Sequence, residues 1–261
     1  MLELAGVSLS FVGLTAVAGL DLRVADGTIC SLIGPNGAGK TSVLNLISRF
    51  YTPQTGQVRF NERDLLKLPP HRVVEIGIAR SFQSPTLFKN LSVLDNLLVG
   101  AAHLSKPSVV EDVLRLPRSR QHERLARERA DHALEFLKLE AVRDRVAGDL
   151  PYGHQKLVDI GRALVADPRL LLLDEPAAGM EEAQKQWLAN AIMHVPDEYG
   201  AAVLLVDHDM GVVLRVSDNV IVMNFGSKIF EGPPGEVRHQ PQVLAAYLGT
   251  ERGGTVHDAQ A

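Results

Sequence analysis

Hydrophobic and polar positions alternate strictly at two places near the start of the chain. Val7, Leu9 and Phe11 are separated by Ser8 and Ser10, and Leu20, Leu22 and Val24 by Asp21 and Arg23. A period of two predicts half-buried strands, which pair antiparallel at an edge of the fold. Later runs differ. Ile29–Ile33, Leu170–Leu173 and Val203–Val206 are almost continuously apolar. Such runs predict parallel strands covered on both faces by helices. Three- and four-residue spacing marks the helices between them, with Leu157, Ile160, Gly161, Leu164 and Val165 in one, and Ala126, Ala130, Ala133, Leu134 and Leu137 in another. Strand and helix in alternation predict an α/β core with a mainly parallel sheet and an antiparallel β edge.

From Leu91 to Asp149 the strand signals vanish, and charged, helix-compatible sequence takes over. Pro107 and Pro117 divide it, because each disfavours helix for the residue before it. The expected organisation is a core formed by 1–90 and 150–249, an inserted helical subdomain at 91–149, and a flexible tail at 250–261. The charge balance, 27 Lys+Arg against 31 Asp+Glu, gives a net −4 and argues against a nucleic-acid partner. The arginines at 115, 118, 120, 124, 127 and 129 are interleaved with acids and lack aromatics, so a solvated helical face is expected there. One cysteine, Cys30, predicts a reduced, intracellular protein without disulfides. The start carries no basic and apolar leader pattern, so no secretory signal is expected. The longest purely apolar run, Ala201–Val206, is far short of the roughly 18 residues that span a bilayer. Secreted, disordered and integral-membrane classes are excluded on these grounds.

Gly34, Pro35, Asn36, Gly37, Ala38, Gly39, Lys40 and Thr41 form a complete G-x-x-x-x-G-K-[ST] phosphate loop. It follows the apolar strand Ile29–Ile33 and precedes the helix-like stretch Ser42–Ile47, as the motif requires. Glycines let backbone N–H groups turn inward around phosphate oxygens, and the helix N-terminus adds a favourable dipole. Lys40 is expected at the β/γ-phosphates and the Thr41 hydroxyl on Mg²⁺. A second constellation is Leu170–Leu173 followed by Asp174 and Glu175. A buried strand delivering acids at its carboxyl end places them where ligands bind in open α/β sheets. Asp174 fits a Mg²⁺ ligand, and Glu175 a base that polarises water. ATP with Mg²⁺ is the expected ligand.

Together these motifs resemble the ATP-binding subunits of ATP-binding-cassette (ABC) transporters over nearly the whole chain, about Leu2 to Gly249. The resemblance implies a P-loop NTPase core and ATPase activity. It implies that Phe11 stacks on adenine, and that Gly34 to Ser42 cradle the phosphates. Gln83 would sense Mg²⁺ and γ-phosphate and couple to a membrane partner. His208, between Asp207 and Asp209, would be the switch histidine. Metal contacts would come from Thr41, Gln83 and Asp174, and catalysis from Glu175, His208, Gln83 and Lys40. Pro151, Tyr152, Gly153 and His154 occupy the place of the signature that faces a partner subunit's ATP. Taken singly, Phe11 reads as buried packing, Gln83 as a polar residue after a strand, and His208 as a strand-end histidine.

The chain departs from the commonest family pattern in two places. The usual signature is Leu-Ser-Gly-Gly-Gln, and here Pro151, Tyr152 and His154 replace its serine, first glycine and glutamine. Pro151 has neither hydroxyl nor N–H to offer, although it suits the first turn of a following helix. Ala177 to Glu181 ends in glutamate where aspartate is usual. The tyrosine-glycine signature, Glu175-Pro-Ala-Ala-Gly179, the 78–88 segment around Gln83 and the late Ala246-Tyr-Leu-Gly249 resemble ATPases of branched-chain (hydrophobic) amino acid importers. That resemblance implies a second ATPase subunit, two integral membrane permeases, a solute-binding protein, and a peripheral location at the cytoplasmic face of the inner membrane. Lipopolysaccharide-export ATPases, soluble ABC ATPases of DNA repair or translation, and a nucleotide-binding regulatory module without turnover are the alternatives.

Overall fold

A computed structural model of the protein describes residues 1–104 and 117–251. The two alternating segments are strands β1 (Leu2–Phe11) and β2 (Leu14–Val24), paired antiparallel with Leu9 opposite Val17 and Phe11 opposite Leu14. The runs Ile29–Ile33 (β3), Leu170–Asp174 and Ala202–Val206 are strands buried at every position. Numbered in chain order, the remaining strands are β4 (Thr55–Phe60), β5 (Arg63–Asp64), β6 (Ile78–Arg80), β7 (Leu170–Asp174), β8 (Ala202–Val206), β9 (Asn219–Asn224) and β10 (Ser227–Gly232).

Among the described residues these strands form two sheets. One has the order β2-β1-β4-β5 and is antiparallel, so the expected antiparallel edge is a four-stranded sheet of its own. The other has the order β10-β9-β3-β8-β7-β6 and is parallel except for the β9–β10 pair. The three apolar runs lie side by side at its centre. Their side chains explain the unbroken hydrophobicity. Leu171, Leu173, Val203 and Leu205 join one core cluster, while Leu170, Leu172, Leu204 and Val206 join a second cluster beneath the antiparallel sheet. Each strand therefore buries both of its faces.

The helices are α1 (Lys40–Ile47), α2 (Val93–Gly100), α3 (Pro117–Phe136), α4 (Tyr152–Val165), α5 (Glu182–Tyr199), α6 (Met210–Val216), α7 (Pro234–Val237) and α8 (Pro241–Glu251). Both helices expected from spacing are present: α4 buries Ile160, Gly161, Leu164 and Val165, and the expected face of α3 buries Ala130, Ala133 and Leu134. Pro117 opens α3, whereas Pro107 and Arg115 lie outside the described residues. Between 91 and 149 the described residues hold helices, turns and one isolated bridge, Ser92 to Val146. On α3, Arg124–Glu128 (3.0 Å) and Arg127–Glu123 (3.2 Å) are exposed pairs of the kind expected on a solvated face. Helix α8 continues to Glu251, two residues into the expected tail; the rest of that tail lies outside the described residues. No described helix is long and apolar enough to cross a membrane.

Candidate nucleotide-binding site

Parallel pairing points the carboxyl ends of β3, β6, β7 and β8 the same way, and every sequence-predicted site residue outside the signature and Phe11 ends or follows one of them. The phosphate loop leaves β3 at Gly34, whose φ is +150°, and a Cβ there would collide with the carbonyl oxygen of Met223 on β9. Gly39, at φ +102°, is pressed equally close to the Ala16 carbonyl of β2. Only glycine fits at these two approaches. Asn36, Gly37 and Thr41 are exposed, Ser42 is half-buried, and Pro35 and Ala38 are buried. No side chain caps the start of α1, so its first N–H groups are available to phosphate oxygens. Lys40, only 7% exposed, donates from Nζ to the Gly34 carbonyl (2.7 Å) and the Pro35 carbonyl (2.9 Å). Burial lowers its pKa, against the opposing pull of Glu175 and Asp174.

Beside the loop, Phe11 is 39% exposed and stands edge-on to Tyr51, with ring centroids 5.0 Å apart. It is not core packing. The β1–β2 hairpin is fastened to the β9–β10 turn and the phosphate loop by Ala18 N–H to Gly226 O (2.9 Å) and Gly226 N–H to Ala38 O (3.1 Å).

At the end of β7, Asp174 is buried, and its Oδ2 accepts from Arg80 Nη2 at 2.8 Å. Glu175 follows with φ +47°, a left-handed backbone unusual for glutamate. Its N–H donates to Val206 O (2.7 Å), and its carbonyl accepts from Lys156 Nζ (2.7 Å). The Glu175 carboxylate gathers two predicted residues: Gln83 Nε2 donates to Oε2 at 2.8 Å, and His208 Nδ1 lies 3.9 Å from the same oxygen. Asp207 is buried and accepts the N–H groups of Asp209 (2.9 Å) and Ala177 (3.4 Å). Burial pushes its carboxyl upward despite those bonds. Asp209 caps α6 and holds Lys185 at 2.8 Å, and that bond keeps its carboxyl below the usual range.

Pro151 is the N-cap of α4, one position ahead of the first turn where it was expected, and its carbonyl accepts from His154 and Gln155 N–H. Its φ of −54° and ψ of 148° fit a cap better than a helical residue. Tyr152 is 44% exposed and donates its hydroxyl to the Gln83 carbonyl at 3.3 Å. Gly153 faces Gln184, whose Oε1 would lie 2.9 Å from a Cβ. Glu181, the lengthened acid, is the N-cap of α5 and forms a reciprocal capping box with Gln184. Sequence reasoning missed Arg80, Tyr51, Gln184 and Lys156. A charge at the carboxyl end of a buried strand could have flagged Arg80. A lone lysine against the apolar face of α4 could have flagged Lys156.

Thr41, Asp174 and Gln83 offer hydroxyl, carboxylate and amide oxygens, hard donors of the kind Mg²⁺ takes together with nucleotide phosphates. Among the described residues, no group of three or more His, Cys, Asp or Glu side chains is placed to hold a metal by itself. The donor set therefore suits an ion shared with a bound nucleotide.

A phosphate loop on a parallel sheet, with an acid pair, a glutamine and a histidine converging at the next strand ends, defines a P-loop nucleotide hydrolase. The ABC transporter family pattern matches residues 17–178, and a pattern described as branched-chain amino acid ATP-binding cassette transporter matches residues 227–252. The high-affinity branched-chain amino acid transport ATP-binding protein BraF of Pseudomonas aeruginosa is 39% identical over 95% of this chain and 98% of its own. LivG of Escherichia coli, with the same description, is 36% identical over the same shares. The ADP conformation of MJ1267, an ATP-binding cassette of an ABC transporter, superposes with a TM-score of 0.81 at 32% identity, over 95% of this chain and 98% of that one. The chain belongs to the ABC transporter family as one of its ATP-binding subunits, and it is an ABC ATPase.

Proposed function

We propose that the protein hydrolyses ATP to energise import of branched-chain or other hydrophobic amino acids, or related small solutes. The observation that carries this reading is the convergence of Gln83 and His208 on one carboxylate oxygen of Glu175, beside the phosphate loop. Its likeness to subunits of branched-chain amino acid transport supports the choice of cargo. In this reading residues 1–90 and 150–249 are the ATPase core and 91–149 a helical subdomain.

Phe11 stacks on adenine. The N–H groups of the 34–42 loop and the Lys40 ammonium bind the phosphates, Lys40 exchanging its two loop carbonyls for phosphate oxygens. Thr41, Asp174 and Gln83 would hold Mg²⁺, which when bound neutralises charge on the β- and γ-phosphates. Glu175 orients the attacking water and takes its proton; Gln83 and His208 fix that carboxylate, and His208 donates to the γ-phosphate. Two ATPase subunits pair head to tail, so that Pro151, Tyr152, Gly153 and His154 close on the partner's ATP. Two membrane permeases receive the movement, and a solute-binding protein delivers the cargo. The chain is peripheral at the cytoplasmic face of the inner membrane.

Glu175→Gln tests the reading in the assembled complex. The amide keeps the shape and loses the base, so turnover is abolished, ATP binding persists, and a closed ATP-bound dimer accumulates. Phosphate release at near wild-type rate from that variant would remove Glu175 from the chemistry.

A further inference from the structure

The signature segment carries a large side chain where the common family pattern has a glycine, and that side chain turns back into its own subunit. Tyr152 donates its hydroxyl to the Gln83 carbonyl at 3.3 Å. Its ring packs on Gly179, so closely that a Cβ there would stand 3.0 Å from Cε1, and Gly179 has a φ of +75°. One turn further along α4, on the same face, is Lys156. Its ammonium lies 5.9 Å from the centroid of the Tyr152 ring and donates to the Glu175 carbonyl at 2.7 Å. Lys156 is 2% exposed. The fourth side is closed by Gln83 Nε2 on Glu175 Oε2 at 2.8 Å.

These contacts form a closed ring, Tyr152 to Gln83 to Glu175 to Lys156, with two corners on the first turn and a half of one helix. Glu175 sits in a left-handed backbone conformation, which persists only where its surroundings fix it. Its carbonyl is held by the Lys156 ammonium and the Ala178 N–H (3.2 Å), and its N–H by the Val206 carbonyl. A rigid displacement of the start of α4 therefore moves both the main chain of Glu175 and the loop that carries Gln83.

We propose that Tyr152 and Lys156 are positioning residues that couple the two nucleotide sites of the dimer through the interior of one subunit. The inference rests on the head-to-tail reading above. When the partner's nucleotide engages Pro151–His154, the start of α4 is held in place. Tyr152 and Lys156 then set Gln83 and Glu175 for hydrolysis in this chain's own site. Occupancy of one site is thereby read by the catalytic carboxylate of the other, through a contiguous set of hydrogen bonds.

The test is steady-state ATPase of the assembled complex carrying Tyr152→Phe, Tyr152→Gly or Lys156→Met, over a range of ATP concentrations. Wild-type and Glu175→Gln complexes run in parallel. Absence of wild-type turnover defeats the ATPase reading and not the coupling, whereas near wild-type turnover in Glu175→Gln removes Glu175 from the chemistry and overturns the coupling with it. ATP binding by each isolated variant checks that it folds. Tyr152→Phe keeps the ring on Gly179 and removes only the hydroxyl bond. It is expected to lower kcat by about fivefold or more, the lower end of ordinary coupling, with KM little changed and the Hill coefficient falling toward one. Lys156→Met is expected to act in the same direction, and Tyr152→Gly at least as strongly as Tyr152→Phe. Hydrogen exchange of the 82–84 and 175–179 amides in the full isolated chain should quicken in the tyrosine variants. Unchanged kcat and cooperativity in folded, assembled Tyr152 variants would overturn the proposal. So would a lower kcat with cooperativity intact, which would reduce Tyr152 to packing.

Discussion

Asp174 ends β7 with its side chain almost wholly buried, and its carboxylate pairs directly with the Arg80 guanidinium. Arg80 is 7% and Asp174 3% exposed at the side chain, with 2.8 Å between them. The other arm of Arg80 reaches Asn45 (2.8 Å) on α1 and Ser48 (3.3 Å) at its C-cap, and its guanidinium carbon lies 5.0 Å from the centroid of the Phe82 ring. One arginine thus joins the phosphate-loop helix, the acid strand and the segment leading to Gln83. Lysine cannot replace that fork. Removing one partner strands a buried charge, so Arg80→Met is expected to cost about 3–5 kcal/mol of stability. Arg80→Lys should fall between. Urea unfolding of the isolated chain measures both, and a loss under about 1 kcal/mol for Arg80→Met would place the pair among weak surface bridges. A charge at a strand end could flag this residue in the sequence, but not the partners that give it a role. Lys40, Asp174 and Glu175 announce themselves through motifs that occupy consecutive positions, and His208 through the family resemblance. Arg80 acquires its meaning from a partner 94 residues away, and Lys156 from one 19 away.

Helix α6 has seven residues, too few to stand without its cap and its packing. Asp209 supplies the cap: Oδ1 accepts from Gly211 N–H (2.9 Å) and Val212 N–H (3.4 Å), while Oδ2 binds Lys185 (2.8 Å). Asp209→Ala is expected to cost about 1–2 kcal/mol near neutral pH, as lost caps do. The pH dependence follows from the lowered pKa, caused first by the Lys185 hydrogen bond. A depressed carboxyl stabilises the fold above its unfolded value and loses that contribution as pH falls through its folded value. The gap between wild type and Asp209→Ala should therefore narrow as pH drops below about 3.9. Urea titrations at neutral and acid pH check it, and a gap constant across that range would contradict the linkage. At this scale the legible elements were those with a strong period. Alternation revealed β1 and β2, and unbroken apolar runs revealed β3, β7 and β8. The three residues of β6 are too few to carry a period, and β4 interrupts its apolar positions with Gly56, Gln57 and Arg59. Helix α5 runs through Pro196, where local rules would have ended it, because Leu188, Ile192 and Val195 pay for the lost bond by packing in the core.

Across the molecule, four parallel strand ends assemble most of one candidate nucleotide site, and the start of α4 lies against it through Tyr152 and Lys156, while in the proposed head-to-tail dimer the backbone at Gly153 serves the partner's. The order of motifs in the sequence made that division readable, but the contacts behind the signature were not. Gly153 shows why both matter. A Cβ there first meets Gln184 Oε1 at 2.9 Å, the far end of a flexible side chain that can swing aside. Gly153→Val should therefore fold and bind ATP in isolation, giving up mainly the capping box at the start of α5. Its damage should appear only in the complex, where a branched side chain blocks backbone approach to the partner's phosphate. Steady-state ATPase of the assembled complex is expected to fall by at least about tenfold, equivalent to about 1.4 kcal/mol. Pro151→Ser is the converse test. A serine at this N-cap gives α4 the side-chain acceptor it lacks and restores a hydroxyl near the partner's nucleotide. It should raise thermal stability slightly and raise ATPase or leave it unchanged. Full ATPase from a folded, assembled Gly153→Val complex would make 150–155 a helix start and nothing more. The partner's nucleotide would then have to close on another surface of this chain.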